Sequence, residues 1–322
     1  MALCRVCLFT YQRNELLARS VLSIRNQTFR DWICEIHNDD PLDRYPEDFI
    51  ASLNDDRFIV KNHRSNSGGA ASFNLAFSDS EERYSSLLED DNWWEPDFLE
   101  VMIQSLEANP LLKIGVANER IWKEENDGSW TDLKRTVWSK TSGLELYIPD
   151  PAARCGSTKI CNSAMVWKTK EALKWLTPSD LPVDVTEHFR ARVIKDPILI
   201  LYAPLVNFAQ TIRTNRSKDR ITWGAYQSLL IASVFRSIRP DLHADLAANL
   251  WKVARETSSP FKTSLLNAAL TDSNSAILLK QATFKELVRY SLTWIKSPVT
   301  CLKIIRSPAR YPAHWQFLLE NT

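Results

Sequence analysis

The sequence predicts an α/β fold: a mostly parallel, doubly wound sheet flanked by helices, with a C-terminal helical appendage. Three observations carry that expectation. Short apolar runs rich in β-formers alternate with helical periodicity as far as about residue 115. Each early run ends in polar residues, as in open α/β sheets that bind ligands at the carboxyl ends of their strands. Beyond about residue 218 helical periodicity takes over and no convincing strand is left.

Residues 4–10, CRVCLFT, form the first strand. Asn14 is suited to cap a helix in which Leu17, Val21, Leu22 and Ile24 recur at roughly helical spacing. Residues 32–36 make the second strand, closed by His37, Asn38, Asp39, Asp40 and Pro41. Residues 58–60 make the third. Ser67, Gly68 and Gly69 open a helix over 70–77. The fourth strand, 85–88, runs into the acidic stretch Glu89, Asp90, Asp91, and a helix follows over 96–108. The pattern then loosens, with strands expected at 114–117, 164–167 and 198–202. The expected domains are residues 1–217 and a helical region, 218–322.

The chain has 322 residues, room for one large domain and an appendage. With 44% hydrophobic and 25% charged residues it reads as an ordinary soluble globular protein. A net charge of +1 gives no argument for a nucleic-acid partner. The opening MALCRVCLFTY reads as a buried strand, not a signal peptide. No apolar run reaches the ~18–20 residues of a membrane span. The six Cys are scattered. Cys4 and Cys7 form a C-x-x-C inside a strand with no second pair at metal spacing. All six are expected to be reduced thiols of a cytoplasmic protein.

Three consecutive carboxylates after an apolar run repel one another and are costly to take out of water. Either a cation compensates them or they form a solvated turn. Their context favours the cation. Residues 9–13 (FTYQR), 20–29 (SVLSIRNQTF), 36–40 (IHNDD), 66–69 (NSGG) with Asn74, and 88–96 (LEDDNWWEP) follow in an order and spacing that resemble the family 2 glycosyltransferases, over about residues 4–217. The resemblance implies a GT-A, Rossmann-like nucleotide-sugar fold. It also implies inverting, non-processive transfer of a sugar from a nucleotide-diphosphate donor, a UDP-sugar favoured, to a saccharide or glycolipid acceptor such as a surface polysaccharide.

The resemblance implies roles as well. Thr10 and Tyr11 would line base and ribose, and Asp39 would face the base. Arg13, Asn66, Gly69, Asn74, Glu89 and Asp90 would complete the nucleotide site. Asp91 would ligate Mn²⁺ or Mg²⁺, with Glu89 beside it. Such a cation takes one or two protein carboxylates plus phosphate oxygens and waters, and can sit between carboxylates and a diphosphate. Asn38 stands where the family usually has an acid, so base identity stays open. Asp39 and Asp40 could equally be turn residues before Pro41.

A general base for the acceptor hydroxyl is expected within 181–190, LPVDVTEHFR. Asp184 lies six residues before Arg190, a spacing found in relatives. Glu187 is the alternative, with His188 where relatives carry Asp. Both acids also suit a helix start, where they favour the dipole. Arg213 and Arg216 fall where relatives close a loop over the diphosphate. The stretch Gln210, Thr211, Ile212, Arg213, Thr214 lacks the Trp of processive synthases. Trp122, Trp130 and Trp138 could stack on sugars or belong to the core.

From residue 284 to 319 basic and aromatic residues interleave, which suits in-plane contact with the inner face of a membrane. A helical appendage packed on the catalytic domain, or on a second copy in a homo-oligomer, is the plainer reading. Pro298, Pro308 and Pro312 cut the segment short. The competing class is a nucleotide-sugar- or saccharide-binding protein of this fold without turnover. A nucleotidyltransferase would carry a Gly-rich phosphate loop after the first strand, where this chain has Tyr11, Gln12 and Arg13.

Overall fold

The computed structural model describes residues 2–155, 159–212, 219–256 and 260–322. The chain divides into two compact units. The first comprises Met1–Ile148, Lys159–Leu181 and Ile194–Asn215; the second comprises Pro149–Thr158, Pro182–Val193 and Arg216–Thr322.

The first unit runs β1 (Cys4–Thr10), α1 (Asn14–Arg25), β2 (Trp32–Asn38), α2 (Tyr45–Leu53), β3 (Phe58–Asn62), α3 (Gly69–Leu75), β4 (Tyr84–Glu89), β5 (Trp93–Trp94), α4 (Phe98–Glu107), β6 (Ile114–Glu124), β7 (Trp130–Thr136), β8 (Leu144–Tyr147), β9 (Met165–Lys168) and β10 (Ile198–Gln210). The sheet order is β3-β2-β1-β4-β9-β6-β10-β5, with β7 paired to β6 and β8 to β10. β1 is parallel to both β2 and β4, while β9 is antiparallel to both β4 and β6. All seven residues of β1 are buried, as expected of a central strand covered on both faces. The chain winds one way from β1 to β2 and β3 and the other way to β4. β1 and β4 therefore flank a switch point of the sheet, where α/β proteins hold ligands. Register places Thr10 beside Asn38 and Phe9 beside Glu89.

Two details of α1 differ from expectation. Arg13 occupies the cap position and Asn14 is the first helical residue. Leu22 points outward, 40% exposed, and Ser20 is buried in its stead with Leu17, Val21 and Ile24. That face carries a polar row, for a reason given below. The expected strands at 114–117 and 198–202 are the buried starts of the longer β6 and β10. The outer half of β6 pairs with β7, whose sequence WTDLKRT is polar and nowhere fully buried, so its strand character came from pairing alone.

The second unit holds α5 (Pro151–Cys155), α6 (Thr186–Val193), α7 (Arg220–Ser237), α8 (His243–Glu256), α9 (Pro260–Thr271), α10 (Ile277–Gln281), α11 (Phe284–Lys296), α12 (Pro298–Ile305), α13 (Ser307–Arg310) and α14 (Pro312–Asn321). Its core gathers Phe235, Leu250, Trp251, Leu265 and Leu278, and Cys155 of α5 joins it. Where the sequence placed a break near 218, the second unit also takes in 149–158 and 182–193, because these short helices bury their apolar sides among the helices of that unit. Among the described residues no helix is long and apolar enough to cross a membrane. The six cysteines are free thiols, five of them buried.

Candidate active site

The acidic turn follows β4, and its backbone is gripped by one face of α1. Ser20 Oγ lies 2.7 Å from the Asp90 carbonyl and 2.5 Å from that of Asn92. Ser23 Oγ accepts from the Trp94 amide at 3.1 Å. Gln27 donates to the Glu95 carbonyl at 2.8 Å and accepts from the Leu99 amide at 2.9 Å. The Thr28 amide donates to the Pro96 carbonyl at 2.8 Å. Ser20 and Ser23 lie on one face of α1 and Gln27 follows just past its end, so together they reach residues 90–99. This gives SVLSIRNQTF its physical meaning: its apolar positions bury α1, and its polar positions hold the acidic turn.

Arg19 adds to the grip. Its guanidinium sits in the corner formed by the rings of Trp93 and Trp130, whose planes stand 76° apart, at 3.7 and 4.0 Å from their centroids, and donates to the Asp91 carbonyl at 2.7 Å. Trp93 also packs against Trp122, whose Nε1 donates to Asn207 Oδ1 at 2.7 Å.

The three carboxylates have different surroundings. Asp90 is fully buried and ion-paired with Arg13. Burial pushes its carboxyl well above the usual range, Arg13 opposing and the Asp91 charge adding to the rise. Asp91 is at the edge of the site, its side chain 16% exposed, and accepts from Arg13 Nη1 at 2.7 Å. Glu89 Oε2 accepts from Asn92 Nδ2 at 3.2 Å and from Ser163 Oγ at 3.1 Å. Arg13 thus faces the carboxylates beside it. It is brought there by the turn from β1 to α1, where Gln12 takes a left-handed φ of 54° and donates to Asp40 Oδ2 at 2.7 Å.

Asp39 is cradled at the end of β2. Its Oδ1 pairs with His63 Nδ1 at 2.9 Å and accepts the Ser67 amide at 2.9 Å, and its Oδ2 accepts the Gly68 amide at 3.1 Å. Gly68 adopts φ +81°, a conformation that favours glycine. Asn38 donates to the Asp43 carbonyl and Asn62 Oδ1 while its own Oδ1 accepts the Asp40 amide. An aspartate there could not donate, so the Asn serves the loop.

Residues 5–159 match the family model described as glycosyl transferase family 2. The chain carries a family 2 glycosyltransferase domain. No curated protein matches the chain in sequence. Among solved structures it is similar to S. aureus TarS 1–349 in complex with UDP, with TM-score 0.61 and 11% identity, over 99% of this chain and 90% of that one. It is likewise similar to TarS 1–349 in complex with UDP-GlcNAc, with TM-score 0.59 and 10% identity, over 87% and 89% of the two chains. At these identities the likeness is one of fold, and it agrees with the GT-A architecture expected from the sequence.

Within this glycosyltransferase the expected site residues fall in three places. Thr10, Tyr11, Arg13, Asp39, Glu89, Asp90 and Asp91 sit at the carboxyl ends of β1, β2 and β4. Asn66 Oδ1 accepts the Gly68 amide at 2.8 Å, and Gly69 begins α3, so both shape the loop over Asp39. Asn74 is engaged with a distant segment. Its amide donates to the Thr177 carbonyl at 2.7 Å and accepts the Thr177 amide at 3.2 Å, which ties two segments of the first unit together. Asp184 lies in a 3₁₀ turn, Val183–Val185, and Glu187 in the first turn of α6, both in the second unit. Arg213 and Arg216 lie outside the described residues.

Arg190 is fully buried. Burial lowers its pKa to about 9, with the Glu187 charge acting the other way. His188 is pushed down to about 4 by burial and by Arg192, and its ring packs on Trp223. Of the residues that build the site, sequence reading missed Arg19, His63 and Ser163. Ser20, Ser23 and Gln27 were visible as a motif without their function.

The described residues bring one set of three metal-type ligand atoms together, those of Cys7, Glu35 and His37. Burial pushes the Cys7 thiol up to about 12, which opposes the thiolate a metal needs. Glu35 is engaged with Arg5 and Lys61.

Proposed function

We propose that this glycosyltransferase moves a sugar from a UDP donor to a saccharide acceptor with inversion, aided by Mn²⁺ or Mg²⁺ at Asp91 and Glu89. The observation that carries the reading is the acidic turn at the switch point between β1 and β4, with its backbone held by α1 and its carboxylates at the strand ends. The donor set suits a hard cation. Asp90 is fully buried against Arg13, while Glu89 and Asp91 lie at the strand end, two carboxylates being a number that Mg²⁺ or Mn²⁺ accepts alongside phosphate oxygens. Such a cation, when bound, stabilises the charge on the departing diphosphate.

The chain's own residues supply the rest. Three donors fill most of the Asp39 carboxylate and leave Oδ2 one lone pair. That suits the single N–H of uracil better than the paired donors of guanine, and TarS, of the same fold, has been crystallised with UDP. Asp184 takes the acceptor proton, since Glu187 serves buried Arg190. Arg213 and Arg216 would pair with phosphate oxygens of the donor. The catalytic part is residues 1–217, with 218–322 as appendage. The free thiols suit a cytoplasmic setting.

One observation favours a second reading, a binding protein without turnover. Arg13 pairs with Asp91 as well as Asp90, so the acidic turn has a resident counter-ion of its own. The deciding experiment is calorimetric titration of UDP and GDP with Mn²⁺, Mg²⁺ or EDTA, on wild type and Asp91→Ala, with UDP release from UDP-sugars assayed alongside. Metal-dependent UDP binding that Asp91→Ala abolishes, with slow UDP release, supports the transferase. Metal-independent binding indifferent to Asp91 overturns the metal site, and binding without release selects the second reading.

A further inference from the structure

α11 and α12 carry apolar side chains on their solvent side. Phe284, Val288, Leu292 and Ile295 are exposed, Phe284 by 83% and Ile295 by 75%. At about 100° per residue they fall within roughly 80° of arc, so they form one stripe along α11. Lys285, Arg289 and Lys296, all exposed, follow along one border of that stripe. Tyr290, Leu287 and Trp294 lie on another side and face the core of the unit. The helix therefore has a packed face and, in addition, an apolar face whose side chains stay exposed to solvent. α12 continues the theme: Val299 and Leu302 are exposed beside Lys303, while Cys301 and Ile304 are buried.

The charge on this segment has one sign. Residues 284–310 contain Lys285, Arg289, Lys296, Lys303, Arg306 and Arg310 against a single carboxylate, Glu286. That carboxylate is engaged away from the stripe. It accepts from the Thr283 amide at 2.8 Å in a capping box and pairs with Arg255 at 3.2 Å and Lys262 at 3.7 Å.

We propose that the α11–α12 face docks this protein on an anionic lipid surface, with the apolar stripe at the acyl boundary and the cations among the headgroups. An apolar stripe bordered by cations is what an in-plane helix needs, and each Lys or Arg near such a surface adds attraction. A second copy of the same face is a poorer occupant, because a two-fold contact would bring like cationic borders together. The inference does not depend on the donor or the metal of the transferase site.

The test is cosedimentation of the full chain with vesicles of phosphatidylcholine, alone or with roughly a third phosphatidylglycerol. Three proteins are compared: wild type, Phe284→Glu/Ile295→Glu, and Lys285→Glu/Arg289→Glu. The substituted side chains are exposed, and thermal melting of each variant shows that the fold persists. Wild type is expected to bind the anionic vesicles, to leave them as salt is raised, and to ignore the neutral ones. Each variant is expected to bind roughly tenfold more weakly or worse. Wild type that sediments with neither vesicle overturns the proposal, as does equal sedimentation of wild type and both variants. So does a wild-type dimer that Phe284→Glu/Ile295→Glu splits without any lipid binding, which would assign the face to a second copy.

Discussion

Arg19→Met tests whether the acidic turn is positioned by α1 or merely adjacent to it. The guanidinium stacks on two indoles at 3.7 and 4.0 Å and donates to the Asp91 carbonyl at 2.7 Å. Two partly desolvated cation–π contacts give about 2–3 kcal/mol. A charged hydrogen bond gives about 2 kcal/mol. Burial opposes them. It lowers the Arg19 pKa to about 10, with Asp91 and Glu124 pulling it back, and so offsets part of that gain. The net contribution is about 1–2 kcal/mol, since the methionine stem keeps some packing. The melting temperature should fall by about 3–6 °C. The functional effect should be larger than that modest loss suggests. With the Asp91 carbonyl released, UDP–Mn²⁺ affinity should drop by about tenfold or more, as when outer partners of a metal site are removed. Arg19→Lys should fall between, because an ammonium keeps the charge near the rings but loses the planar face and the fork of donors. Melting curves and calorimetric titration of UDP with Mn²⁺ decide the matter. A variant that melts lower yet binds UDP–Mn²⁺ within about twofold of wild type would refute the positioning argument.

Three further predictions follow from the same geometry. Arg13→Met leaves Asp90 buried without its counter-charge and should cost about 3–5 kcal/mol in urea unfolding, most of it regained in Arg13→Met/Asp90→Asn; a double variant as unstable as the single one would show that pairing is not the cause. Gln27→Leu removes bonds to the Glu95 carbonyl and from the Leu99 amide, and should cost about 2–3 kcal/mol. A loss under ~0.5 kcal/mol would mean that water replaces both bonds. His188 has its pKa depressed to about 4 by burial and Arg192, so the folded state keeps it neutral while the unfolded chain protonates near its ordinary 6.5. Its contribution is complete above pH 6.5 and is lost as pH falls towards 4, by at most about 3 kcal/mol. Melting curves of wild type and His188→Gln across that window should diverge in slope, and parallel curves would contradict the linkage.

The legible parts of the fold and site were those with local causes. β1 and β4 are apolar runs that end in polar residues, and their place in the centre of the sheet follows from alternation with helices. The acidic stretch announced itself by the cost of three adjacent carboxylates. Partnerships that span the chain carry no local mark. Nothing near Arg19 signals that residues 93 and 130 will close on it, and nothing near Asn74 signals Thr177. β7 is a strand only because β6 extends beside it. Leu22 fitted the apolar count of α1 yet lies outside, because Ser20 was needed within.

That exchange of Leu22 for Ser20 explains why two separate stretches of sequence behave as one device. A helix that packed only apolar residues on the sheet would be better buried, but it would leave the carbonyls of Asp90 and Asn92, which share the single Ser20 proton, and the amide of Trp94 without partners. Unpaired and buried, those groups would each cost about 1–3 kcal/mol, more than a leucine loses by being half exposed. The polar residues of α1 thus satisfy part of the backbone of the turn, and the Glu89 and Asp91 side chains stay at the strand ends. Changing Ser20, Ser23 or Gln27 should therefore disturb donor binding without touching a carboxylate, and changing Asp91 should disturb donor binding while leaving the turn in place.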